Sequence, residues 1–265
     1  QVSTSQAAEK KKIDFKEVYK RREYDLNFIT KYIIEKKLTP LNWFEVSGEV
    51  LHNSTEFNGI DCCLDVDLCL KVEEINELDE DVFKPKILAY DIETDEFEIG
   101  KGNILMVSLY GENFKKVLTW KKDSKKDFVE FFDDEADMLE AFVKEVKDFD
   151  PDILVGYFSD NFDLPYLRAR CEKNKVDMCL GVDGSKPRFS RGNLMTAKIK
   201  GIVHIDLLRF IKNAYSQYLQ SETLSLNEVS SELLNEKKVD FDLSKNLKAK
   251  KTDWEEFFLY NLKDS

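Results

Sequence analysis

The chain has 265 residues, 42% of them apolar and 35% charged, with a formal net charge of −12. A chain of this size buries a sizeable core in one large or two smaller domains, and no window approaches the ~18 consecutive apolar residues of a membrane span. The acidic balance excludes adhesion to nucleic acid by bulk positive charge, but not a nucleic-acid enzyme, because carboxylates that hold cations leave a site acidic until the metal binds.

The opening QVSTSQAAEKKK is polar, lacks the apolar core of a signal peptide and reads as a disordered tail over 1–12. With neither span nor signal, a cytoplasmic protein is expected. Leu26, Phe28, Ile29, Tyr32, Ile33 and Ile34 form a helical stripe that ends near Lys37, ahead of Thr39-Pro40. Segments 43–51 and 60–72 read as strands, the second alternating as CCLDVDLCLKV. The acidic run 73–81 marks a boundary near 82, so 13–82 is expected to be part of a smaller α+β domain and 83–265 a second domain. Beyond it, 87–90, 104–110 and 116–120 look like three successive strands. Met138, Leu139, Phe142, Val143, Val146 and Phe149 mark an amphipathic helix stopped by Pro151. A short buried strand at 153–157 and a helix at 164–173 follow. The segment 181–193 reads as a loop or hairpin and 198–205 as a strand, with helices from about Leu207, Ser221 and Thr252. Strands in a run, then alternating with helices, imply a mixed α/β sheet flanked by helices.

The five cysteines (Cys62, Cys63, Cys69, Cys171 and Cys179) are an odd set without a secretory signal and read as reduced thiols. Paired CxxC spacing is absent, so packing is preferred over a metal site at Cys62, Cys63 and Cys69. His52 and His204 stand alone after apolar strands and read as structural histidines. Gln1 in place of an initiator Met, and an end at Ser265 directly after a charged helical stretch, lead us to expect a fragment.

Three stretches carry chemistry. In ILAYDIET, Asp91 and Glu93 lie two apart on a strand and share a face. Two carboxylates there suit a hard divalent ion, although D-x-E alone occurs by chance in a chain with 52 acids. In VGYFSDNFD, a turn at 159–161 brings Asp163 to the start of a helix, either to cap it or to face the neighbouring strand end and help hold a cation. In YNLKD, Tyr260 and Asp264 lie one helical turn apart on one face.

Together and in this order, DIET, DNFDLPYL and YNLKD resemble the three exonuclease motifs of family B DNA polymerases, most closely the archaeal branch. EYDLNFITKYIIEKKLTP, GNILMVSLY, VLTWKK, DFDPDILVGY and KIKGIVHIDLLRFIK also follow the family's order, so the likeness runs from about residue 20 to 265. The resemblance implies a ribonuclease-H-like exonuclease fold preceded by the end of an N-terminal domain. It also implies metal-dependent 3′–5′ hydrolysis of DNA, which serves proofreading. Asp91, Glu93 and Asp264 would hold two divalent ions, Mg²⁺ or Mn²⁺, with Asp91 bridging and Asp163 supporting the outer ion through water. In the two-metal in-line arrangement, one ion activates the attacking water and the other stabilises the leaving 3′ oxygen. Tyr260, helped by Glu93, would orient that water.

Phe162 would stack on the terminal base or fill the core beside Asp163. The family has Asn where this chain has Phe158, and Asn161 lies nearby in another register, so contacts to the 3′ end are expected to differ. Lys186, Arg188 and Arg191 put three cations in a region where the family carries a β-hairpin that touches DNA; the loop is either solvated or a phosphate contact. The implied partners are a single-stranded 3′ end, a primer–template, and the palm, fingers and thumb of a polymerase. A sliding clamp, reached through parts outside this sequence, and a nucleoid-associated location complete the expectation. Two other readings stay open: a free-standing DEDD-type exonuclease, and an exonuclease domain weakened in catalysis and kept for DNA binding or structure.

Overall fold

The computed structural model describes residues 26–40, 42–51, 66–78, 83–191, 195–221, 223–235 and 253–265. The expected tail over 1–12, His52, Cys62 and Cys63 lie outside the described residues. The described residues fall into two compact units divided between Lys84 and Pro85, with Val66 grouped with the second.

In the first unit, helix α1 (Phe28–Lys36) starts where the Asn27 side chain accepts from the Thr30 amide, and it ends on Lys37 in the left-handed region. Strands β1 (Phe44–Val50) and β2 (Leu70–Glu77) pair antiparallel. The second strand corrects the bounds read from sequence, 60–72, by extending through the acids that follow. Residues 66–69 are not in a strand, while Glu73, Glu74 and Glu77 are. This ladder is largely exposed, so its acids point into water at little cost.

The second unit is built on a six-stranded sheet in the order β10–β7–β3–β4–β5–β6. Its strands are β3 (Ile87–Thr94), β4 (Ile104–Gly111), β5 (Phe114–Thr119), β6 (Val129–Phe131), β7 (Ile153–Gly156) and β10 (Val203–Asp206). β3–β4–β5 run antiparallel, whereas β6, β7 and β10 join in parallel. Helices α2 (Glu135–Phe149) and α3 (Asp163–Asn174) contribute to one core with Leu88, Tyr90 and Ile92 of β3. Helix α6 (Trp254–Asp264) covers the other face, with Phe257 and Phe258 against Leu105, Met106 and Val117. β4 is therefore buried from Ile104 to Leu109 and reads as a continuous apolar run.

Two further readings are corrected. The segment 198–205 is not one strand: β9 (Met195–Lys198) closes a hairpin with β8 (Arg188–Arg191), and the chain then turns at Lys200–Gly201 before β10. Gly201 has φ +85°, and any Cβ there would meet the Val182 side chain. β6, missed from sequence, is only three residues long and adds an edge to β5. Helices α4 (Leu207–Ala214) and α5 (Leu226–Leu234) also belong to the unit.

Candidate functional site

Alternation along β3 buries Leu88, Tyr90, Ile92 and Thr94 on one face and leaves Ala89, Asp91 and Glu93 half-buried on the other. That second face is the one that α6 crosses. Asp91 pairs in register with Ser108 of β4, whose hydroxyl donates to the Asn261 carbonyl of α6 at 2.9 Å. Asn261 in turn donates its side-chain amide to Asp91 Oδ2 at 2.8 Å. This lacing brings the last turn of α6 over β3. One carboxylate oxygen each of Asp91, Glu93 and Asp264 then lies within 4.8 Å of the others, all three residues half-buried. Like charges this close raise each other's energy unless a cation or proton intervenes. The donor set is wholly hard oxygen, without His or Cys, and so fits Mg²⁺ or Mn²⁺ rather than a soft metal. Tyr260 is partly buried against the α6 core, its ring 6.3 Å from Phe257.

Asp163 is not in this 4.8 Å group, but its carboxyl is bonded to the backbone amide of Ile92, between Asp91 and Glu93 in β3. It is the first residue of α3, 3% exposed, and Phe162 rather than Asp163 occupies the N-cap position. Burial, above all, lifts its carboxyl to about 7, against the pull of its own and the Ile92 backbone amides. The loop before it is held by a buried polar network that sequence reasoning missed. Asp160 accepts from the Ala197 amide of β9 at 2.7 Å and pairs with Arg209 of α4 at 2.8 Å. Arg209 also donates to the Thr196 hydroxyl and the Met195 carbonyl, fastening the hairpin to α4. His204 Nε2 lies 3.1 Å from Ser159 Oγ and 3.3 Å from Tyr90 Oη, and its Nδ1 is 3.4 Å from Asp160. This is a serine–histidine–aspartate contact spanning 45 residues, but Ser159 is wholly buried, so it braces the loop and presents no nucleophile. Burial holds the His204 pKa below the usual imidazole value.

Phe158 opens the same loop at φ +61° with its side chain 46% exposed, a strained conformation for a bulky residue. Asn161 is half-buried, and Phe162 packs partly into the main core with its ring 5.5 Å from Tyr166. Lys186 is exposed and paired with Asp177 at 2.7 Å; Arg188 and Arg191 begin and end β8, Arg188 exposed. Beside Asp264 opens a cavity of about 260 Å³, lined among others by Ala89, Val155, Tyr157, Leu207, Leu226 and Lys263. Among the described residues Cys69, Cys171 and Cys179 are free thiols, and no helix is long and apolar enough to cross a membrane.

Residues 19–229 match the sequence model of the family described as DNA polymerase family B, exonuclease domain. This span includes Asp91, Glu93 and Asp163, while Tyr260 and Asp264 lie beyond it. DNA polymerases of Pyrococcus glycovorans and Thermococcus kodakarensis are each 34% identical over 194 residues, 72% of this chain. Those stretches are 20% and 9% of the two relatives, so the chain spans a fifth or less of their length. Among solved structures, the family B DNA polymerase of the hyperthermophilic archaeon Pyrobaculum calidifontis superposes with a TM-score of 0.68. It is 21% identical and covers 91% of this chain and 30% of that one. The likeness shows a common fold: a mixed sheet flanked by helices, of the ribonuclease-H-like exonuclease type.

Proposed function

The chain belongs to the family of family B DNA polymerase exonuclease domains, and from that premise we propose that it removes nucleotides from the 3′ end of single-stranded DNA with divalent metal ions. The observation that carries the proposal is the convergence of Asp91, Glu93 and Asp264 within 4.8 Å at the end of a rigid strand and a docked helix. These three would hold two divalent ions, supported by Asp163. When bound, the ions would supply charge stabilisation of the phosphodiester and a more acidic water.

The chain's own groups do the rest. Tyr260, one turn before Asp264, orients the attacking water, and Glu93 assists from the strand. The cavity beside Asp264 gives the terminal nucleoside an apolar floor, with Tyr157 and Lys263 at its wall. Phe162, Asn161 and Phe158 line the approach from the loop ahead of Asp163, and Lys186, Arg188 and Arg191 meet phosphates from the hairpin. In this reading 83–265 is the exonuclease domain and 13–82 part of the domain before it. The chain proofreads in the cytoplasm as part of a longer polymerase whose palm, fingers and thumb carry synthesis.

The test is hydrolysis of a 5′-labelled single-stranded oligonucleotide with Mg²⁺ or Mn²⁺. Shortening from the 3′ end is expected, with a loss of at least about a thousandfold in Asp91→Ala/Glu93→Ala. Equal degradation by wild type and the double variant overturns the proposal. A second reading, a domain weakened in hydrolysis and kept for DNA binding, draws support from the strained, exposed Phe158. Binding of the oligonucleotide without shortening would favour it.

A further inference from the structure

We infer that Asn261 is a positioning residue for the metal site: its side-chain amide fixes the Asp91 carboxylate, and Ser108 fixes Asn261. This deepens the reading above and rests on it. Asn261 is wholly buried, a costly place for an amide unless its hydrogen bonds serve something. Its Nδ2 donates to Asp91 Oδ2 at 2.8 Å, across 170 residues of sequence. Its Oδ1 has no hydrogen-bond partner among the described residues, in the company of Phe257 and Phe258, which are also fully buried. A helix built only for packing would carry an apolar residue at this position, as it does at Phe257 and Phe258. The polar choice leaves one acceptor unpaired and secures one donor on Asp91.

Ser108 completes the arrangement. It is wholly buried, stands opposite Asp91 in the β3–β4 register, and donates to the Asn261 backbone carbonyl at 2.9 Å. The two bonds therefore close a ring through β3, β4 and α6. A carboxylate left to rotate about its χ2 bond would point its oxygens over a range of directions; one bonded at Oδ2 holds its plane. Since Asp91 is one of the three carboxylates that would hold metal, its plane decides the direction in which its oxygens are offered to a cation. Partners of metal ligands commonly change metal affinity or activity 10–100-fold when removed.

The experiment separates this role from packing. Asn261→Leu keeps the size, removes the donor and abolishes the unpaired acceptor. Its metal-free melting temperature should equal or exceed that of the wild type, while its Kd for Mn²⁺, read from the electron paramagnetic resonance of free Mn²⁺, rises about tenfold. A lower melting temperature with unchanged Kd would make Asn261 a packing residue and overturn the inference. If Asn261→Leu does not fold, Ser108→Ala leaves the apolar contacts of α6 in place and should raise the Kd at least about threefold; an unchanged Kd overturns the inference by that route. The Mn²⁺ titration needs no hydrolysis. A wild type that binds Mn²⁺ but leaves DNA intact defeats the functional proposal alone, and a wild type that binds no Mn²⁺ defeats both.

Discussion

Asp163 shows how a single group couples the site to stability. Its carboxyl is pushed up to about 7 by burial, from the ordinary value near 4. Between about pH 4 and 7 the folded, metal-free chain therefore holds a proton that the unfolded chain releases. The stabilisation is complete below about pH 4 and is lost as pH rises through 7. Melting curves in chelator from pH 4 to 8 should show it. Asp163→Asn, which cannot ionise, should gain on the wild type as pH rises, by a few kcal/mol at pH 8. A difference that does not change with pH would show that burial does not hold the proton there. Tyr90, fully buried and facing Asp163 and Asp160, is likewise driven well above the ordinary phenol value, so it stays neutral as a hydrogen-bonding partner of His204.

At the scale of elements, a second buried network braces the sheet end that carries the acids. Glu135, the first residue of α2, accepts from the Ile104 amide at 2.8 Å and pairs with Arg170 of α3 at 2.8 Å; both side chains are almost fully buried. Arg170 reaches on to Asn103, which holds Asp95 in the loop just beyond Glu93. Arg170→Leu alone removes the charged partner of a buried carboxyl group, and should cost about 3–5 kcal/mol in urea unfolding. Adding Glu135→Gln should recover part of that, because the charge is gone while an acceptor remains for the Ile104 amide.

Elements also show what the sequence made legible. β3 and α2 were readable because alternation and helical spacing each reported one buried face. β6 was not, because three residues carry too little pattern, and the turn at Gly201 was hidden inside an apolar stretch. The acids at 91, 93, 163 and 264 were readable as a set only through resemblance, since each alone is an ordinary residue. Asn261, Arg209 and Glu135 were not readable at all. Their partners lie 13 to 170 positions away, and nothing in the spacing joins them.

For the whole molecule the charge of −12 sets the terms of DNA binding. Several of its cations are already engaged: Lys116 with Glu130 and Glu145, Lys126 with Glu255, and Lys200 with Asp183. With 52 acids against 40 Lys and Arg residues, the field opposes phosphate contacts until metal binds. Anisotropy of a labelled phosphorothioate oligonucleotide should report weak binding in chelator, with a log–log salt slope smaller in magnitude than about 3. Mn²⁺ should tighten it. A steep slope in chelator would reveal a basic track that the ion pairs conceal.

The lacing of α6 to β3 also has a consequence for the order of events in the chain's life. During synthesis Asp91 and Glu93 emerge some 170 residues before their third partner, and the amide that sets Asp91 arrives with that same helix, α6. Until α6 docks, the nascent chain carries two acids on a strand and no ion cage. Nuclease chemistry would switch on only after the rest of the sheet has been built.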